Sequence, residues 1–194
     1  MADSDKFKST YRVKSHRHPD WDYRDPGGYF ITICTVRRKL WLGQVIDGSM
    51  NLSRAGEIVQ EEIVNTAVLR PNIKIDPWCV MPNHIHFVLW IQANTAANYN
   101  FTLNNQADAV ESELKRITHA LQKWKADSVG SIVNQIKGKC TRRIRRETAL
   151  NFSWQPNYYD HILRNEDEQK LICEYILNNP LTWEADRMFQ EDKV

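Results

Sequence analysis

The chain has 194 residues, 42% of them apolar and 26% charged, which is enough apolar content for one packed domain and too much for a disordered chain. Its net charge of +2 selects no partner, but residues 137–146 (KGKCTRRIRR) hold six of the 26 basic residues, so an anionic partner is expected to meet a patch. The four cysteines form no CxxC pair, which excludes the common zinc and dithiol motifs; no apolar run approaches a membrane span and the polar N-terminus lacks a secretory core, so a cytoplasmic protein with no membrane partner is expected.

In chain order, residues 1–28 are polar, contain Gly27-Gly28, and read as an N-terminal arm. YFITICTV (29–36) is a β-branched and aromatic run expected to form a central strand. The Asp47-Gly48 step between short apolar pieces predicts a hairpin turn. Ser53 can cap a helix that carries Ala55, Ile58, Val59, Ile63 and Ala67 at helical spacing and ends at Arg70-Pro71-Asn72. IKIDPWCVM, Pro82-Asn83 and HIHFVLWIQ then read as strand, tight turn, strand. The second strand is almost wholly apolar after its histidines, as a strand buried on both faces must be.

Residues 93–128 shift to Ala, Asn, Gln and Thr and then to charge, and read as a variable insertion. A second helix is expected over about 129–146, with Ile132, Val133, Ile136, Cys140 and Ile144 as its apolar stripe. Lys137, Lys139, Arg142, Arg143, Arg145 and Arg146 surround that stripe, and their density with few acids opposite favours contact with DNA phosphates over a merely solvated face. An extended SWQPNYYDHILR follows. Asn165 then caps a third helix, acidic at its first turn and stopped by Pro180. The order of elements predicts an α+β, ferredoxin-like (RRM-like) antiparallel sheet with helices packed on one face.

Chemistry concentrates at His84-Ile85-His86. Residues i and i+2 of a strand share a face, so two imidazoles can chelate one cation from rigid backbone. Such pairs also arise by chance, and two ligands leave the sphere incomplete. On the third helix Tyr175 and Asn179 lie one turn apart. A phenol there can attack a phosphate and the amide oxygen can join the metal. Equally, Tyr175 can be a packing aromatic and Asn179 a helix cap before Pro180. Trp154, Tyr158 and Tyr159 divide evenly between base stacking and core packing, and His161 is left outside the catalytic set.

WCVMPNHIHFVLW (78–90) resembles the HUH signature, and YYDHILRNEDEQKLICEYILNNPLTWE (158–184) resembles the C-terminal signature of REP-associated tyrosine transposases, single-tyrosine relatives of small insertion-sequence transposases. YFITICTVRR and IKGKCTRRI are similar to the same family in order and spacing, so the resemblance runs over residues 29–184. It implies that His84, His86 and Asn179 bind a divalent Mg or Mn ion and that Tyr175 is the nucleophile. It further implies transesterification of single-stranded or hairpin DNA through a 5′-phosphotyrosine link, by a monomer or homodimer. Residues 185–194 read as a C-terminal tail. The alternative is a nucleic-acid-binding module of ferredoxin-like fold without catalysis.

Overall fold

The computed structural model describes residues 21–93, 127–186 and 188–189, and a short ladder of Lys6–Phe7 with Thr10–Tyr11. Most of the variable insertion expected at 93–128 and most of the N-terminal arm lie outside these residues.

Strand β1 is Gly27–Cys34, so it starts two residues earlier than the aromatic run suggested. Gly28 belongs to the strand because it sits against Trp90: a β-carbon there would come within 2.5 Å of the indole ring. A hairpin of β2 (Gly43–Ile46) and β3 (Ser49–Leu52) follows. Its turn residues Asp47 and Gly48 have φ of 49° and 70°, the paired positive values that match a two-residue turn to strand twist. Helix α1 is Arg54–Val68, and the Ser53 side chain accepts from the Gly56 N–H at its start. Strands β4 (Ile73–Met81) and β5 (His84–Ile91) flank the Pro82-Asn83 turn. Helix α2 is Val129–Thr148, capped by Ser128 and ended by Ala149 in the left-handed region. Strand β6 is Tyr159–Ile162, and α3 is Glu166–Asn178, capped by Asn165.

The four-stranded sheet runs β4-β5-β1-β6, antiparallel throughout. This is the ferredoxin-like order, with β5 and β1 central. Their positions explain the apolar sequence of both strands. Tyr29, Ile31 and Ile33 of β1 and Ile85, Phe87 and Leu89 of β5 face one way and are fully buried. They meet Ile58, Val59 and Ile63 of α1 and Ile132, Ile136 and Cys140 of α2 in one core. Burying a side chain such as Phe87 contributes roughly 1.5–3 kcal/mol. Among the described residues no helix is long and apolar enough to cross a membrane.

One expectation fails in an informative way. α1 and α2 share a face, but α3 packs on the other face, over β4 and β5. The physical reason is space: the first face is already filled by two helices when the chain leaves β6, so the third amphipathic element can bury its stripe only on the reverse side.

Candidate metal centre and nucleophile

Alternation along β5 aims Ile85, Phe87 and Leu89 into the core and therefore sends His84 and His86 to the α3 face. Both histidines are fully buried, with ring centroids 4.4 Å apart. Each is held through Nδ1: His84 by Asn83 Oδ1 and His86 by Thr32 Oγ1, both at 2.8 Å. Asn83 settles the state of His84. Its Nδ2 donates to the Met188 carbonyl at 2.9 Å, so its Oδ1 must accept from His84 Nδ1–H, which leaves Nε2 as the ring nitrogen able to face a cation.

α3 lowers Tyr175 and Asn179 onto this pair. Tyr175 Oη is 3.2 Å from His86 Nε2 and donates to Asp186 Oδ2 at 3.0 Å. Its ring is 5.2 Å from that of His86, and it stays 37% exposed. Asn179 is fully buried; its Nδ2 donates to Asp186 Oδ2 at 2.8 Å, while its Oδ1 is buried without a hydrogen-bond partner among the described residues. A buried orphan oxygen of this kind is what an ion or ordered water satisfies.

Asp186 was not among the expected site residues, since it falls in what the sequence marks as a tail. The chain after Pro180 does not leave the molecule. Trp183 and Met188 are buried with Cys34 and Met81, and Trp183 lies 5.9 Å from the His84 ring. The segment thereby carries Asp186 back over the histidines. His84, His86 and Asp186 offer ligand atoms within 4.8 Å of one another, so this group could hold a metal ion. Burial pushes the Asp186 carboxyl up, but hydrogen bonds from the Met188 N–H, Asn179 and Tyr175, with the neighbouring His84, hold it below the usual carboxylate range. Cys79 stands opposite His86 on β4. Burial pushes its thiol up to about 12. A signal for Asp186 existed in the sequence: Trp183 and Met188 are apolar residues too large for a solvated tail.

The basic residues of α2 are not brought to this centre; their helix covers the opposite face. Arg143 binds Glu62, Glu61 and Glu147 at 2.8, 2.6 and 3.3 Å. Lys139 lies 4.0 Å from Glu62. Lys137 is half-buried, which lowers its pKa, and its Nζ donates to the carbonyls of Gln155 and Pro156. Arg145 Nε donates to the Phe152 carbonyl. Arg142 and Arg146 line a groove of about 410 Å³ between α1 and α2, and Arg146, although it pairs with Glu147, is 73% exposed.

A protein of Haemophilus influenzae described as uncharacterized is 34% identical to this chain over 176 residues, which cover 91% of the chain and 92% of that protein. No family model matches the sequence. Among solved structures, a REP-associated tyrosine transposase bound to a REP hairpin superposes with a TM-score of 0.54 and 19% identity, covering 88% of this chain and 76% of that one. The chain thus belongs to one family with the Haemophilus influenzae protein, and its fold is that of the REP-associated tyrosine transposase anticipated from its motifs.

Proposed function

We propose that this chain is a metal-dependent nicking and joining enzyme for single-stranded or hairpin DNA, with Tyr175 as nucleophile. The observation that carries the reading is the meeting of Tyr175 Oη with His86 Nε2 and Asp186 Oδ2, at 3.2 and 3.0 Å, from three separate stretches of chain. A packing tyrosine has no need of a buried histidine pair and an ionised carboxylate at its hydroxyl.

The donors fit a divalent cation. His84, His86 and Asp186 would hold it, with the orphan Oδ1 of Asn179 as a further oxygen. When bound, such an ion would polarise the scissile phosphate and offset the charge on its oxygens. Two imidazoles with oxygen ligands suit Mn²⁺ at least as well as Mg²⁺, which prefers oxygen alone.

The remaining work belongs to the chain's own residues. Tyr175 Oη forms a bond to phosphorus while the bond from phosphorus to the 3′ oxygen breaks, giving a 5′-phosphotyrosine and a free 3′-OH. Asp186 already receives the phenol hydrogen and is placed to take it as the bond forms. The departing 3′ oxygen takes up a proton, either the one Asp186 received from the phenol or one from water, and reversal by another 3′-OH rejoins strands. Phosphoester energy is kept in the link, so no nucleotide cofactor is required.

The exposed sides of Arg142, Arg145 and Arg146 are assigned to DNA phosphates; Lys137, Lys139 and Arg143 are assigned to holding the fold through their internal partners. Because α2 lies behind the sheet, these contacts would meet DNA away from the cleavage point. The test is an assay with single-stranded hairpin DNA and Mn²⁺. It should yield protein covalently joined to DNA, abolished by Tyr175→Phe and suppressed by EDTA. Binding without any link would favour the non-catalytic module, and cleavage surviving in Tyr175→Phe would contradict the nucleophile.

A further inference from the structure

Among the described elements, α3 lies over β4 and β5, and on the other side the same face runs on past Phe30 to the sheet edge. Strand register defines what stands there. Cys79, His86, Thr32 and Tyr159 form one row across the four strands; Val88, Phe30 and His161 form the next. Residues directly opposite in an antiparallel ladder share a face. Tyr159 and His161 therefore project on the side of the histidine pair. Tyr159 is 44% exposed and the His161 side chain 46%, whereas Asp160 and Ile162 between and after them turn half-buried toward the core.

Phe30 connects this edge to the reactive centre. Its ring stacks 5.3 Å from His86 and meets Tyr175 edge-on at 6.2 Å. Glu168, at the first turn of α3, accepts from His161 Nε2 at 2.6 Å and fixes that ring in place. Strands lie about 4.8 Å apart, so Tyr159, two strands from His86, is about 10 Å from it. Three rings thus continue outward from the nucleophile within reach of the nucleotides beside an attacked phosphate. Aromatic faces bind the faces of unpaired bases with little regard to sequence. Bases inside a duplex are stacked on one another and offer no such face.

We propose that Phe30, Tyr159 and His161 form a stacking subsite for the unpaired bases that flank the phosphate attacked by Tyr175. The inference rests on the nicking reading above and gives it a substrate requirement: single-stranded nucleic acid at the point of attack. It also separates the three neighbouring aromatics, because Trp154 is 7% exposed in the core and Tyr158 packs against that core, while Tyr159 faces outward.

The experiment uses the full chain and a mixed-sequence single-stranded oligonucleotide carrying 2-aminopurine, whose fluorescence reports stacking. Tyr159→Leu and His161→Ala should each weaken binding about five-fold or more, the alanine-scan worth of a lost base stack. Tyr159→Phe should bind as the parent does, and so should Leu171→Ala, a change on the exposed side of α3. If Tyr159→Leu and His161→Ala bind and quench like the parent while the covalent link to Tyr175 still forms, the subsite is overturned and the nicking reading stands. If binding depends on these rings but no link ever forms, the subsite stands and the nicking reading falls. A parent chain that binds no single strand overturns both.

Discussion

The two faces of the central sheet are built from the same strands and obey different rules. On one face, alternate residues of β1 and β5 are uniformly apolar and close against α1 and α2. On the other, the intervening residues include Thr32, His84 and His86 among apolar neighbours such as Phe30 and Val88, and the covering helix brings a tyrosine and an asparagine. The first face is an ordinary core whose worth is stability. The second buries polar groups that hydrophobic burial does not require, and a fold retains such groups where chemistry needs them. Backbone that must be rigid for one face becomes the mount for the other.

The faces should therefore separate in mutation. The largest effect is expected at the nucleophile: Tyr175→Phe removes one oxygen from a side chain that is 37% exposed, leaves the unfolding midpoint nearly unchanged, and abolishes the covalent link on a denaturing gel. Phe87→Ala, one residue beyond His86 on the core face, should cost about 3–5 kcal/mol in denaturant unfolding. A Tyr175→Phe variant that lost as much stability would erase the distinction. Next comes the cation. At one hundred times its dissociation constant Mn²⁺ should stabilise the parent by about 2.7 kcal/mol, and His84→Ala or Asp186→Ala should remove that increment in a thermal shift measured with and without the ion. Asp186→Ala retaining the full increment would return the third ligand to Asn179 alone.

A smaller effect concerns α1 and α2. Hydrogen bonds from Arg54, Arg146 and Arg143 outweigh desolvation and hold the Glu147 carboxyl at about 2, below its ordinary 4.5. A depressed carboxyl stabilises the fold fully above its unfolded value, and that contribution is lost as pH falls from about 4.5 toward about 2. Glu147→Gln should flatten the dependence of unfolding on pH in that window and change little near neutrality. An unchanged acid profile would show that the pairing is too well solvated to matter.

The sequence is read easily where a local rule governs. The period-two placement of His84 and His86, the Asp47-Gly48 turn, the caps at Ser53 and Asn165, and the βαββαβ order each depend on a few neighbouring residues, and all are found. What escaped depends on distant chain. The face taken by α3 follows from α1 and α2 having filled the other. The partners of Arg143 come from Glu61 and Glu62, about 80 positions earlier on α1, so a run of basic residues looked more available than it is. Asp186 follows a proline-terminated helix, the usual mark of a departing tail, and only the burial of Trp183 and Met188 returns it to the histidines.

Anomalous diffraction from crystals grown with Mn²⁺ and collected near the manganese edge would decide whether the second face is a metal centre. The account predicts one strong peak bound by His84, His86 and Asp186, with Tyr175 Oη beside it. A peak elsewhere on the molecule, or density at that position without manganese, would contradict it.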